Sequence, residues 1–247
     1  MPQTHDHPWL VRASCEQRPR TLYAFPYAGG DAQAYAGWAT RLDPSIEWIT
    51  LELPGRGRCP ATSYADIQAF VQALVPLFAD SQKPFAFFGH SFGGLLSFLI
   101  CRALAERRLP LPRSLILSGC KAPACFEPIA QPALSDDEVL SLIRAYGGTP
   151  EAVLNNRALM SFFLPTIKAD LTLVRSYRWQ PQPPLPIPLL ILSGRQDPTH
   201  GPDVAQDWRA ETSAEVVFQT FEGGHFFIKD HHYEVLQIMN QFLLRTL

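Results

Sequence analysis

Three short glycine-bearing segments hold the residue types from which acyl-transfer chemistry is built. Gly89-His90-Ser91-Phe92-Gly93 fits the G-x-S-x-G pattern of a nucleophile elbow and lies between the apolar run Phe85–Phe88 and a stretch of helical periodicity. A sharp strand-to-helix turn lifts a serine Oγ out of a sheet, and flanking glycines let neighbouring backbone come close. It also leaves Ser91 at a helix N-terminus, where N–H groups favour developing negative charge. An ordinary turn containing a serine would share these letters; the coincidence of strand, motif and helix favours the elbow. A serine hydroxyl needs a base, and His225 in Glu222-Gly-Gly-His-Phe-Phe227 follows the last apolar run, on a loop that two glycines make tight. The base needs a carboxylate to fix its tautomer. Asp197, in Ser193-Gly-Arg-Gln-Asp-Pro198, comes directly after the run Leu189–Leu192.

The competitors are weaker. His5 and His7 lie in a polar N-terminal arm, His200 in a loop, and His231 and His232 at the opening of the final helix; His90 is expected to point away from the nucleophile. Asp170, Asp203 and Asp207 fall inside helices or at a helix start, where a surface carboxylate or an N-cap is the better reading. The strand ending at Leu117 leads into Ser118-Gly-Cys-Lys121, which offers no acid. The resulting order of Ser, Asp, His is that of the α/β-hydrolases and not of the serine proteases. Acyl transfer also needs donors for an oxyanion. The N–H of Phe92 is the first, and Phe25-Pro-Tyr-Ala-Gly-Gly30 supplies the second, with Ala28 preferred over Tyr27. That glycine pair does not satisfy G-x-G-x-x-G, so it is no dinucleotide fingerprint.

Behind these residues, short apolar runs alternate with longer amphipathic stretches, the pattern of an α/β fold with a mostly parallel sheet flanked by helices. Strands are expected at Thr21–Phe25, Ile46–Leu51, Phe85–Phe88, Ser114–Leu117, Leu189–Ser193 and Val216–Phe221. Helices are expected at Tyr64–Phe78, Gly93–Arg107, Asp203–Glu211 and Tyr233–Leu244. The segment Lys121–Pro188 breaks the rhythm and reads as a helical lid insertion. It has helical pieces at Asp136–Tyr146 and Leu159–Tyr177, a capping box at Ser135 and Glu138, and a stop at Gly147-Gly148. The proline-rich run Gln180–Pro188 should return the chain to the sheet in extended form.

At 247 residues, with 47% hydrophobic content, one core and a single domain over 1–247 are expected. The 21 basic and 23 acidic residues are dispersed, which argues against nucleic acid as a partner. No signal-peptide core or membrane-length apolar run is present, so a cytoplasmic protein is expected. Five scattered cysteines without a CxxC pair indicate free thiols, with neither a disulfide framework nor a metal site.

Taken together, FPYAGG at 25–30, LELPGRG at 51–57, GHSFGG at 89–94, SGCKAP at 118–123, LPTIKAD at 164–170, SGRQDP at 193–198 and EGGHFF at 222–227 resemble one family. It is that of the stand-alone type II thioesterases accompanying nonribosomal peptide and polyketide synthases, relatives of the medium-chain thioesterase of animal fatty acid synthesis. The resemblance implies an α/β-hydrolase fold and hydrolysis of acyl groups from the phosphopantetheine arm of acyl or peptidyl carrier proteins, clearing misloaded or stalled units. It places nucleophile, acid and base on Ser91, Asp197 and His225, and it implies no cofactor. A monomer is expected. Arg56 and Arg58 are candidates to meet an acidic carrier surface, against the plainer reading of solubilising residues. The sequence departs from the family pattern mildly, with KAD where RAD is usual and Cys120 where a basic residue is common. A carboxylesterase or lipase acting on oxyesters, and a catalytically silent scaffold subunit, remain alternatives.

Overall fold

The computed structural model describes residues 7–130, 133–199 and 204–247. His5, His200 and Asp203 lie outside the described residues. Seven strands form one sheet in the order β1-β3-β2-β4-β5-β6-β7: β1 (Leu10–Arg12), β2 (Arg20–Phe25), β3 (Ile46–Leu51), β4 (Phe85–His90), β5 (Leu115–Ser118), β6 (Leu189–Gly194) and β7 (Val216–Phe221). All pairings are parallel except that of β1 with β3. Six strands match the bounds expected from the sequence to within two residues at each end. β5 extends to Ser118 because that residue still pairs with His90 and Leu192. β1 was not expected; three residues on a sheet edge carry no readable alternation.

Each β4 residue is buried, and its side chains alternate between two cores. Phe85 and Phe87 join the layer formed by α1 (Ile67–Leu74), α2 (Pro76–Ala79), α3 (Phe92–Glu106) and α7 (Val204–Arg209). Ala86 and Phe88 join the layer formed by Tyr35, Trp38 and α9 (His232–Thr246). Burial on both faces explains why the central strands read as continuous apolar runs. The helix expected over Tyr64–Phe78 starts at Ile67 instead, where the Asp66 carboxylate accepts the N–H of Ala69, and it is interrupted at Pro76, which cannot donate to the preceding turn.

Between β5 and β6 lie α4 (Asp136–Tyr146), α5 (Glu151–Leu154) and α6 (Arg157–Ser176), the expected helical segment. Ser135 and Glu138 form the full reciprocal capping box, and Gly147, at φ 71°, ends α4. The short α5 and α8 (Phe227–Asp230) went unread, being too brief to show a period. The chain leaves β2 towards β3 on one side and returns across it to β4 on the other. The carboxyl ends of β2 and β4 therefore flank the switch point, where open parallel sheets place their ligands.

Candidate active site

Ser91 stands at that switch point, between the last residue of β4 and the first of α3. Its backbone is held at φ 55° and ψ −118°, a region costly for any residue with a Cβ. A hydrogen bond from its N–H to the Ser118 carbonyl (2.8 Å) anchors the turn on β5. Gly93 is required by a close approach, since a Cβ there would stand 2.1 Å from the Phe25 carbonyl oxygen. The start of α3 therefore lies directly against the loop leaving β2.

His225 Nε2 is 2.8 Å from Ser91 Oγ, and its Nδ1 is 2.8 Å from Asp197 Oδ2. A carboxylate only accepts, so Nδ1 carries the proton and donates, while Nε2 is left to accept from the serine hydroxyl. The second carboxylate oxygen of Asp197 accepts the backbone N–H and the hydroxyl of Thr199, at 2.9 and 2.7 Å. Imidazole and carboxylate are both buried, whereas Ser91 is partly accessible. The two loops that bear them are laced together. Gln196 N–H donates to the Gly223 carbonyl (3.0 Å), Gly223 N–H donates back to Gln196 Oε1 (2.6 Å), and Gly194 abuts the Gly224 carbonyl too closely to admit a Cβ. His90, beside the nucleophile, is tied to β5. It is fully buried, hydrogen-bonded through Nδ1 to Ser118 Oγ (2.9 Å), with its ring 5.1 Å from that of His225.

The loop after β2 is fixed by a contact the sequence reading placed elsewhere. Asp170 is not a surface carboxylate or a cap: it lies within α6 and is buried. Its Oδ2 accepts the N–H of Gly29 (2.8 Å), and both its oxygens accept from Arg56, at 2.7 and 2.8 Å. Arg56 also donates to the Gly30 carbonyl (2.9 Å). Burial pushes the Asp170 carboxyl above the ordinary carboxylate range, against the pull of Arg56 and of the Gly29 N–H. Arg56 is thus committed to an internal clamp and is not available to meet a carrier surface; Arg58, two residues on, is exposed. With Gly30 N–H bonded to the Tyr27 carbonyl (2.8 Å) and Gly29 N–H to Asp170, Ala28 occupies the middle of a tightly held turn. Phe92 opens α3, whose first N–H groups have no partner within the helix.

A cavity of about 450 Å³ opens beside Ser91 and His225. Its walls are mostly apolar, drawn from Phe92 and Leu95 of α3, Phe126, Leu142 of α4, and Leu171 and Val174 of α6. Tyr146, at the end of α4, closes one side, its ring 4.8 Å from that of His225 at 36°. Burial first, and then the charge of Asp197, raise the pKa of its phenol. The next turn is tied to the base loop: Lys229 Nζ donates to the Gly148 carbonyl (2.7 Å), and Gly148 lies against the Phe226 ring. Neither Tyr146 nor the Asp170–Arg56 clamp is among the residues expected from the sequence. The one signal that pointed to Asp170 was its place in LPTIKAD, three residues after Ile167, which packs on Gly29. Among the described residues no group of three or more His, Cys, Asp and Glu is placed to hold a metal ion, and no helix is long and apolar enough to cross a membrane.

A family model described as a thioesterase domain matches residues 20–243. The chain is 32% identical over 240 residues to the gramicidin S biosynthesis protein GrsT of Aneurinibacillus migulanus, covering 94% of this chain and 92% of that protein. Among solved structures, the type II thioesterase BorB from the borrelidin biosynthetic cluster superposes with a TM-score of 0.84 at 31% identity, covering 97% of this chain and 99% of that one. The thioesterase RedJ from the prodiginine pathway of Streptomyces coelicolor gives 0.83 at 32% identity, with 91% and 90% covered.

Proposed function

The chain belongs to the thioesterase family, and from that premise we propose that it releases acyl groups held as thioesters on the phosphopantetheine arm of carrier proteins, clearing misloaded or stalled units during nonribosomal peptide or polyketide assembly. The observation that carries this reading is the continuous hydrogen-bonded chain from Ser91 through His225 to Asp197 at the mouth of a largely apolar cavity. His225 takes the Ser91 proton through Nε2 as Oγ attacks the thioester carbonyl. Asp197 holds the ring and stabilises the imidazolium that forms. The N–H groups of Phe92 and Ala28 receive the oxyanion, and the neighbouring turn gives them little freedom to reorganise. The pantetheine thiol departs with the proton from His225. Water, activated by the same imidazole, then releases the acid from the acyl-serine. All of these steps use side chains and backbone of this chain, and no cofactor is invoked. The helical segment between β5 and β6 serves as a lid whose inner face, with Leu142, Leu171 and Val174, receives the acyl chain.

The test is hydrolysis of acetyl- and longer acyl-phosphopantetheinyl carrier protein by the protein and by Ser91→Ala, beside a p-nitrophenyl oxyester. Release from the carrier that disappears in the variant is expected. Ester turnover with carrier substrates untouched would make the chain an esterase, and inactivity on both would leave a scaffold.

A further inference from the structure

A second concavity shares no lining residue with the cavity beside Ser91, and its walls are more polar. This groove of about 450 Å³ is lined by Tyr27, Gly37, Thr40, Arg41, Lys229 and His232, among others. It is built from the β2–β3 connection, which begins with the turn at Tyr27 and Ala28, and from α8 and the start of α9, which follow His225. Tyr27 precedes Ala28, and Lys229 is four residues beyond His225, within about 14 Å along even a fully extended chain. Among the described residues that line it, none is acidic, although the chain as a whole carries more acidic than basic residues.

The basic groups are held in place by contacts of their own. The Arg41 guanidinium lies 4.1 Å from the centre of the Tyr233 ring and donates to the Tyr233 hydroxyl (3.0 Å). The His232 ring lies tilted against the same ring, their centres 3.9 Å apart, and its Nδ1 donates to the Lys229 carbonyl (3.2 Å), which leaves Nε2 as its other polar atom. The Lys229 ammonium rests 4.8 Å from the Phe226 ring centre and spends one of its three donors on the Gly148 carbonyl. Gly37, at φ +79°, presents open space where a side chain would project. The result is a roomy, preorganised basic groove whose walls continue into the catalytic loops.

Such a groove suits a dianionic or monoanionic phosphoryl group on a long flexible tether, because arginine and lysine together supply several charge-assisted donors for its oxygens. We propose that it receives the phosphodiester of the pantetheine arm while the thioester end reaches Ser91. The inference rests on the carrier-arm reading above and adds to it a phosphate subsite separate from the acyl cavity.

The probes are two thioesters of one acyl group, on 4′-phosphopantetheine and on pantetheine lacking the phosphate, tested with Arg41→Ala, Arg41→Lys and Thr40→Glu. The unaltered protein is expected to favour the phosphorylated arm. Arg41→Ala should raise KM for it by about tenfold, the loss of one charged hydrogen-bonding contact, with the effect confined to that substrate. Thr40→Glu, which adds a negative charge to the groove wall, should act in the same direction, and Arg41→Lys should recover much of the preference. The preference should also shrink as salt rises. Equal turnover of the two arms by the unaltered protein, or an equal fall on both in the variants, would overturn the phosphate subsite while leaving the thioesterase intact. Turnover of oxyesters with neither pantetheine substrate would instead remove the carrier-arm reading, and this subsite with it.

Discussion

Replacing Asp170 by alanine would strand a guanidinium inside the protein. The Arg56 side chain is only 7% exposed, and Asp170 is its ion-pair partner as well as the acceptor for the Gly29 N–H. Breaking a buried pair by removing one partner costs about 3–5 kcal/mol, since the survivor keeps its desolvation penalty without its compensation. Against a total stability on the order of 5–15 kcal/mol this is a large share. At about 2–4 °C per kcal/mol in a chain of this size, Tm should fall by roughly 10 °C. The two single variants should not be equivalent. Arg56→Met leaves a carboxyl whose pKa burial already raises, so it can take up a proton and become neutral, whereas the arginine left by Asp170→Ala cannot lose one. Arg56→Met should therefore be the milder change and should recover as pH falls, while Asp170→Ala should not. The double variant Arg56→Met/Asp170→Leu should be more stable than Asp170→Ala alone. Thermal and urea unfolding across pH 5–8 provide the measurement, with thioester hydrolysis well below the melting range as a companion. A loss under 1 kcal/mol in Asp170→Ala, or identical pH profiles for the two singles, would refute the clamp as the source of stability.

Asp197→Asn should keep the fold yet lower kcat by about ten-thousandfold, the scale seen when a triad aspartate becomes an amide and the wrong tautomer of the base is favoured; steady-state thioester assays check it. Gly93→Ala should prevent accumulation of folded protein, because its Cβ would meet the Phe25 carbonyl oxygen at 2.1 Å, and soluble yield reports the outcome. Alkylation with iodoacetamide at pH 8 should modify the exposed Cys15 and spare Cys120 and Cys125, whose thiols burial pushes up to about 12 and about 11; peptide mapping locates the label. The same raised values mean that the folded protein holds these protons more tightly than the unfolded chain. Their contribution to stability is full below the ordinary thiol pKa of 9.0 and is lost as pH climbs towards the folded values, so alkaline denaturation should begin above about pH 9.

What could be read from the chain alone was what is encoded locally. The three triad residues lie in segments whose glycines announce tight turns; Ser91 and Asp197 follow strands buried on both faces, which read as plain apolar runs, while the edge strand before His225 was legible from its β-branched and aromatic residues, and the ends of α4 from its capping box and glycine stop. Asp170 and Arg56 were not, because their meaning arises only when residues 114 positions apart meet, and a charged residue read in isolation looks solvated. Tyr146 likewise gave no sign of lying against His225. β1 was hidden by brevity, and the break at Pro76 was smoothed over by an apolar periodicity that continues on both sides of it.

Among the described residues, the fastenings of the helical segment between β5 and β6 to the body include Gly148, held to Lys229 and Phe226, and the closely spaced Thr166 and Asp170, held to Gly55 and to Gly29 and Arg56. A strap fastened this way does not swing open as a door. Between Gly148 and Thr166 lie α5 and the first turns of α6, where Phe162 is 75% exposed and Leu159 and Phe163 are also open to solvent. Local opening there severs neither fastening, so amide hydrogens in residues 149–163 should exchange at a lower free energy than those around Asp170. The slack of the strap then lies in that stretch, which lines no part of the cavity beside Ser91, so the walls at Leu142, Tyr146, Leu171 and Val174 should stay in place while it opens.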